Sequence, residues 1–324
     1  MERLLEEPKA ELTPFSISDA ALEDAQTLRE RMRRDGYLFF RGLISVPQIG
    51  ETRSAILNAC ASEGWLLAGS SPEEGIAAPG AAHTEPEPGY MTVYDQVLRG
   101  EAFSTLAHDP RLMTVLRSLF AEEPLPHARN IARIIFPQNT LHTTPAHQDY
   151  LHIQGTEETY TAWIPLGDCP LELGSLIVMP GSHRAGVCSV HRSYGAGGVG
   201  IDTDALSYPW TGSDFKAGDV VLFHSLTVHK ALPNLSPDRL RLSVDFRYQP
   251  LSHPIAASSL QPHYERQTWD EIYADWTSAC FQYYWRDLPI RYADDDLRVA
   301  AVCQAAYGSP QAPPTEVNTK ETPE

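Results

Sequence analysis

Between residues 128 and 250 the chain is cut by Gly, Pro, Asn and Asp into short apolar or alternating runs, and this punctuation constrains the fold most. Gly218-Asp219 is a corner leading into Val220-Val221-Leu222-Phe223, the composition of a buried strand. From Arg241 to Tyr248 the pattern has period two. Leu242, Val244 and Phe246 alternate with Arg241, Ser243, Asp245 and Arg247. Runs this short, with breakers between them, predict antiparallel sheets folded into a sandwich or barrel.

Helical periodicity flanks this region. Ser18 or Asp19 can open a helix to about Arg34, with Leu22, Ala25, Leu28 and Met32 on one face and Gly36 as its stop. Tyr37 to Phe40 reads as a strand, Ser45 to Ala61 as a helix, and Pro110 to Phe120 as another. Residues 67–89, rich in Gly, Pro, Ala and Glu, exceed ordinary loop length and read as a mobile or functional loop. Aromatic residues three and four apart over 263–292 predict helices packed on the sheet. Residues 1–15 read as a loose lead-in and 308–324 as a disordered tail, leaving one domain over 16–307.

Charge narrows the partners. A net charge of −17 and a pI near 5.1 disfavour nucleic acid and anionic membranes. Five scattered cysteines lack a C-x-x-C pair and read as reduced thiols of a cytoplasmic protein. The acidic N-terminus has no apolar stretch suited to export, and no window approaches a membrane span.

His147-Gln148-Asp149 carries the chemical signal. Side chains two apart on a strand share a face, so an imidazole and a carboxylate would project together. With a second imidazole they make the facial triad of non-heme Fe(II) oxygenases. A lone H-x-D match arises by chance about once in a chain of this composition, and its plain reading is a hydrogen-bonded pair at a strand end. Structural zinc would call for a closed set with cysteines, for which no spacing exists. His224 and His229 are the candidates for the second imidazole; being an odd number apart, they would face opposite ways on one strand. Farther on, Arg241 and Ser243 share a strand face and could grip a carboxylate, with Arg239 as the alternative arginine.

These residues, with Trp163-Ile164-Pro165-Leu166, Gly174 through His183, Gly218 through His229 and Asn234 through Tyr248, resemble the phytanoyl-CoA dioxygenase family. Asp35 through Gly42 is similar to the family's N-terminal region. The resemblance implies a double-stranded β-helix (a jelly roll, cupin-like): a mainly β, α+β architecture with N- and C-terminal helices packed on the core. It implies Fe(II) held by His147, Asp149 and His229, with 2-oxoglutarate and O2 as cosubstrates. Arg241 would bind the far carboxylate of 2-oxoglutarate, with Ser243, Tyr160 and Thr161 as further contacts. Retention of Asp149 argues for oxygenation rather than halogenation. The implied reaction hydroxylates an unactivated C–H bond of a small molecule and releases succinate and CO2. Hydroxylation of a protein side chain and a non-catalytic jelly-roll binding protein are the alternatives. Two departures stand out. The family's arginine falls eleven residues after the distal histidine, where this chain has Leu240, and Ile131 and Ile135 replace amide side chains that touch the cosubstrate in some relatives. Pro180 through His183 reads as a structural turn, and Gly195 through Gly200 as a flexible insertion near the site mouth.

Overall fold

The computed structural model describes residues 12–140 and 142–307. In chain order the elements are α1 (Ala25–Asp35), β1 (Tyr37–Phe40), α2 (Val46–Ser62), α3 (Pro88–Leu98), α4 (Glu101–Leu106), α5 (Pro110–Phe120), β2 (Pro124–Pro126), β3 (Ile131–Ile135), α6 (Tyr150–Ile153) and β4 (Tyr160–Pro165). There follow β5 (Leu176–Val178), β6 (His191–Arg192), β7 (Val199–Gly200), β8 (Val220–His224), β9 (His229–Ala231), β10 (Arg241–Pro250), α7 (Trp269–Tyr273) and α8 (Leu297–Tyr307).

The alternating run from Arg241 forms the longest strand and organises the larger sheet. Its order is β1-β8-β4-β10, with β3 and β2 sharing the far edge of β10, all antiparallel. The smaller sheet pairs β5 with β9, and isolated bridges add His147 beside His229 and Thr211 beside Val178. The period-two pattern decides which face meets what. Tyr37, Phe39, Trp163, Val221 and Phe223 point inward and pack with Leu176 and Val178 of the smaller sheet. Leu38, Phe40, Ala162, Ile164, Leu222, Val244 and Phe246 point outward and pack against residues of α1 to α5. A one-residue slip in any of these strands would exchange the two sets, so burial on both faces locks the register. The result is the expected double-stranded β-helix with helices outside it.

Local chemistry moves some of the expected boundaries. Asp24, not Ser18 or Asp19, caps α1 by accepting from the Thr27 N–H. Asp19 sits in a 3-10 turn instead, where its carboxylate accepts from the Arg41 N–H. Ser45 precedes α2 without capping it through its side chain, whereas Asp109 caps α5 through the Arg111 and Leu112 N–H groups. The last residues of the expected 1–15 lead-in are held in the fold: Thr13 bridges Thr211, and Phe15 is buried against Tyr37, Phe39 and Phe215. Residues 1–11 and the expected tail at 308–324 lie outside the described residues.

The aromatic stretch 263–292 corrects the helical expectation. Only α7 is α-helical there, and the rest is a short 3-10 helix at His263–Glu265, turns and irregular chain. Its rings are fastened by their polar tips rather than by a helix face. The Trp269 indole donates to the Leu260 carbonyl, Trp276 to Arg99, and the Tyr284 hydroxyl to Pro126. Buried Trp and Tyr satisfy themselves this way wherever a carbonyl is offered, so their spacing carries no helical period. The Gly195 region also differs: it is the turn of a β6–β7 hairpin, with Gly195 against the Thr143 carbonyl and Gly197 against the His152 ring.

Gly36 is required by contact as well as by conformation. Gly36 closes α1 at a φ of 74°, and a Cβ there would lie 2.4 Å from His183 Nδ1 and 2.6 Å from Thr227 Oγ1. Gly36→Ala is therefore expected to destabilise the fold by about 1–3 kcal/mol, read as a lower urea midpoint. An unchanged midpoint would mean that the junction yields.

Candidate metal centre

The first two side chains are brought together by backbone pairing. The His147 N–H donates to the His229 carbonyl at 3.0 Å and the His229 N–H returns the bond to His147 at 3.1 Å. Residues that exchange both bonds are direct opposites in an antiparallel ladder and point to the same side. Their rings lie with centroids 4.2 Å apart. Each ring is fixed in the same way: Nδ1 donates to a carbonyl two residues earlier, His147 to Pro145 at 2.8 Å and His229 to Thr227 at 2.9 Å. Those bonds select the tautomer whose Nε2 lone pair faces inward, the form that binds a metal. Burial pushes His229 down to about 3, so it is held neutral. The Pro180–His183 turn supports β9 from behind, with Ser182 Oγ accepting from the Val228 N–H.

Asp149 arrives differently from expectation. It is not in a strand: it has helical dihedrals (φ −60°, ψ −32°) at the entry to α6. A turn after His147 swings the carboxylate back beside the imidazoles, with Oδ1 at 3.6 Å from His147 Nε2 and 3.8 Å from His229 Nε2. Gln148 holds that turn. Fully buried, it donates to the Gly186 and Leu226 carbonyls and accepts from the Cys188 N–H. Burial alone would push the Asp149 carboxyl up, but the Arg247 guanidinium beside it holds it well below the usual carboxylate range. The donor atoms of His147, Asp149 and His229 all lie within 4.8 Å of one another, the only such group among the described residues. Two imidazole nitrogens and one carboxylate oxygen, without cysteine, suit Fe(II) rather than closed structural zinc.

The triad opens into a cavity of about 390 Å³, part of it open to solvent, lined by Trp163, Leu176 and Phe223 and by the inner face of β10. That face is polar: Arg241, Ser243, Asp245 and Arg247 follow one another at period two. Arg133 from β3 is held by Glu85 at 2.5 Å and Asp245 at 3.5 Å, and Glu85 also accepts from the Tyr264 hydroxyl. Arg247 is paired with Asp149. Arg241 differs. It is 3% exposed, donates to Ser243 Oγ at 2.6 Å, leaves Nε without a partner, and has no ion pair with any carboxylate among the described residues. A buried cation left in this state is half of a charge pair, and a dicarboxylate would supply the other half.

The other expected site residues fall apart by strand face. Arg239 is exposed and outside the cavity. His224 follows Phe223 on β8 and points away from the triad, toward Tyr160, His183 and Glu158. Tyr160 is corrected as a cosubstrate contact. It belongs to the outward set of β4, where it packs on Phe120 and donates to Glu158. Thr161 faces inward, but its hydroxyl donates to Asp149 Oδ2 at 2.5 Å. Arg247, Gln148, Arg133 and Glu85 were not anticipated as site residues. Alternation from Arg241 was a signal for Arg247; the partners of the other three lie 38 or more residues away.

A family model described as phytanoyl-CoA dioxygenase matches residues 32–242. The 1-deoxypentalenic acid 11-beta-hydroxylase of Streptomyces arenae is 27% identical over 265 residues, which span 74% of this chain and 87% of that protein. The corresponding protein of Streptomyces exfoliatus is 34% identical over a shorter span, 37% of this chain and 45% of its own length. Among solved structures, the epimerase SnoN in complex with Fe3+, alpha ketoglutarate and nogalamycin RO superposes with a TM-score of 0.51 at 24% identity, covering 73% of this chain and 86% of SnoN. EctD from S. alaskensis with bound Fe gives 0.50 at 20% identity, covering 75% and 82%. These likenesses are in fold.

Arg241→Met removes an unpaired buried charge and keeps most of the side-chain volume. The metal-free, cosubstrate-free variant is expected to unfold at a higher urea midpoint, a gain of about 1 kcal/mol or more. A lower midpoint would show that the guanidinium stabilises the empty protein.

Proposed function

The chain belongs to the phytanoyl-CoA dioxygenase family, 2-oxoglutarate-dependent non-heme iron enzymes, and we propose that it hydroxylates an unactivated C–H bond of a small molecule with release of succinate and CO2. One observation carries the reading. A buried arginine without a carboxylate partner stands in the same cavity as two inward-facing imidazole nitrogens and a carboxylate. Iron without a dicarboxylate cosubstrate would leave that arginine unexplained.

His147, Asp149 and His229 would hold Fe(II), which when bound supplies the O2-dependent chemistry coupling cosubstrate decarboxylation to substrate oxidation. The protein's part is positional. Arg241 fixes the far carboxylate of 2-oxoglutarate through its guanidinium fork, and Ser243 orients that fork by accepting one of its N–H groups. Trp163, Leu176 and Phe223 exclude water around the chelating end. Arg133 and Arg247 already have carboxylate partners, so among the described residues the cavity presents one free cation, Arg241, for one far carboxylate. A small molecule is the favoured substrate because the cavity lies between two sheets and the similar Streptomyces enzymes are named for a small acid.

Purified protein supplied with Fe(II), 2-oxoglutarate and air is expected to release succinate, faster when a true substrate is present. 1-Deoxypentalenic acid is the first candidate to try. Asp149→Ala is expected to abolish succinate release, and retained turnover would remove Asp149 from the ligand set. In Arg241→Met the KM for 2-oxoglutarate should rise about 30-fold or more, the loss expected for half of a buried charge pair. The same rise in an Arg239 variant instead would transfer the anchoring role.

A further inference from the structure

We infer that Thr161 and Arg247 are positioning residues that leave Asp149 a single oxygen lone pair for the metal. The inference rests on the iron reading above and follows from counting acceptors. An ionised carboxylate has about four lone-pair sites. Oδ2 accepts the Thr161 hydroxyl at 2.5 Å and the Arg247 Nε–H at 3.3 Å, which fills both of its sites. Oδ1 accepts the Arg247 Nη2–H at 3.0 Å, and its remaining site faces His147 and His229 Nε2. Asp149, Thr161 and Arg247 are each 6% exposed or less, so water is poorly placed to replace these donors.

The consequence concerns how many coordination positions stay open. A carboxylate free to turn could bind an ion through both oxygens and occupy a position needed by cosubstrate or O2. With Oδ2 held away by two donors from neighbouring strands, Asp149 can offer only Oδ1. The donors come from paired positions: Thr161 on β4 lies opposite Arg247 on β10. One rung of the larger sheet thereby sets the binding mode of a residue on the α6 turn. Arg241, on the same face of β10, is left for the cosubstrate.

The test measures Fe(II) affinity of the metal-free protein by anaerobic calorimetry, with 2-oxoglutarate absent. Thr161→Val keeps the shape and removes the donor; Thr161→Ser keeps the donor. The valine variant is expected to bind Fe(II) about 10- to 100-fold more weakly, the usual loss when a group orienting a ligand is removed. Serine should restore affinity to within about twofold of wild type. Urea unfolding of the metal-free variants separates this from a folding defect. That control matters most for Arg247→Gln, which strands a buried carboxylate. Equal Fe(II) affinity in Thr161→Val and wild type, or serine no better than valine, overturns the assignment. Wild-type protein that fails to bind Fe(II) at all would overturn the iron reading itself, and the assignment with it.

Discussion

The reciprocal backbone bond between His147 and His229 is the constraint on which the site depends. Neither histidine reaches the other through sequence proximity. One precedes a helical turn and the other begins β9, and a single rung of antiparallel pairing makes them opposites. The rung sets side-chain direction, and a carbonyl two residues back sets each ring's tautomer. The lone pairs are thus aimed by main-chain groups, since turning either ring away would break its Nδ1–H bond to that carbonyl. The third donor is held by side chains instead: Gln148 shapes its turn, while Thr161 and Arg247 clamp its carboxylate.

Polarity on the inner face of β10 is the second organising fact. On β1, β8 and β4 the inward positions are mostly Tyr37, Phe39, Val221, Phe223 and Trp163, as a jelly-roll interior demands. β10 breaks that rule at four successive positions, and the charges are matched rather than scattered. Arg133 is shared by Glu85 and Asp245, and Arg247 is joined to Asp149. Pairing of this kind limits the desolvation penalty of burying ions, and the exception is Arg241, which has no carboxylate partner among the described residues.

Period-two alternation made β10 legible in the sequence, including the shared face of Arg241 and Ser243, because burial on opposite sides leaves a direct mark on residue choice. The strand at Tyr37–Phe40 was legible as a short apolar run, buried on both faces, and the helix at Pro110–Phe120 from its apolar stripe. Asp149 was placed correctly beside His147 on an incorrect ground, since a turn and not a strand brings it there. Tyr160 was misassigned because adjacent strand residues face opposite ways and the register of β4 is set by β8 and β10, not by its own letters. The aromatic segment misled because rings fastened through their hydroxyl and indole groups mimic the spacing of a helix.

The 67–89 segment has the composition of a free surface loop, yet it is sewn into the cavity wall. Ala77 donates to the Asp238 carbonyl, Leu240 donates to Gly75 just ahead of β10, and Glu85 grips Arg133 while Tyr264 grips Glu85. Its tolerance to evolutionary drift is therefore uneven. Exchange of the acid at position 85 would leave Arg133 to Asp245 alone and change the polarity met by an incoming molecule. Divergence of selectivity among descendants of this chain has a short route through that one codon, with the iron-binding frame left untouched.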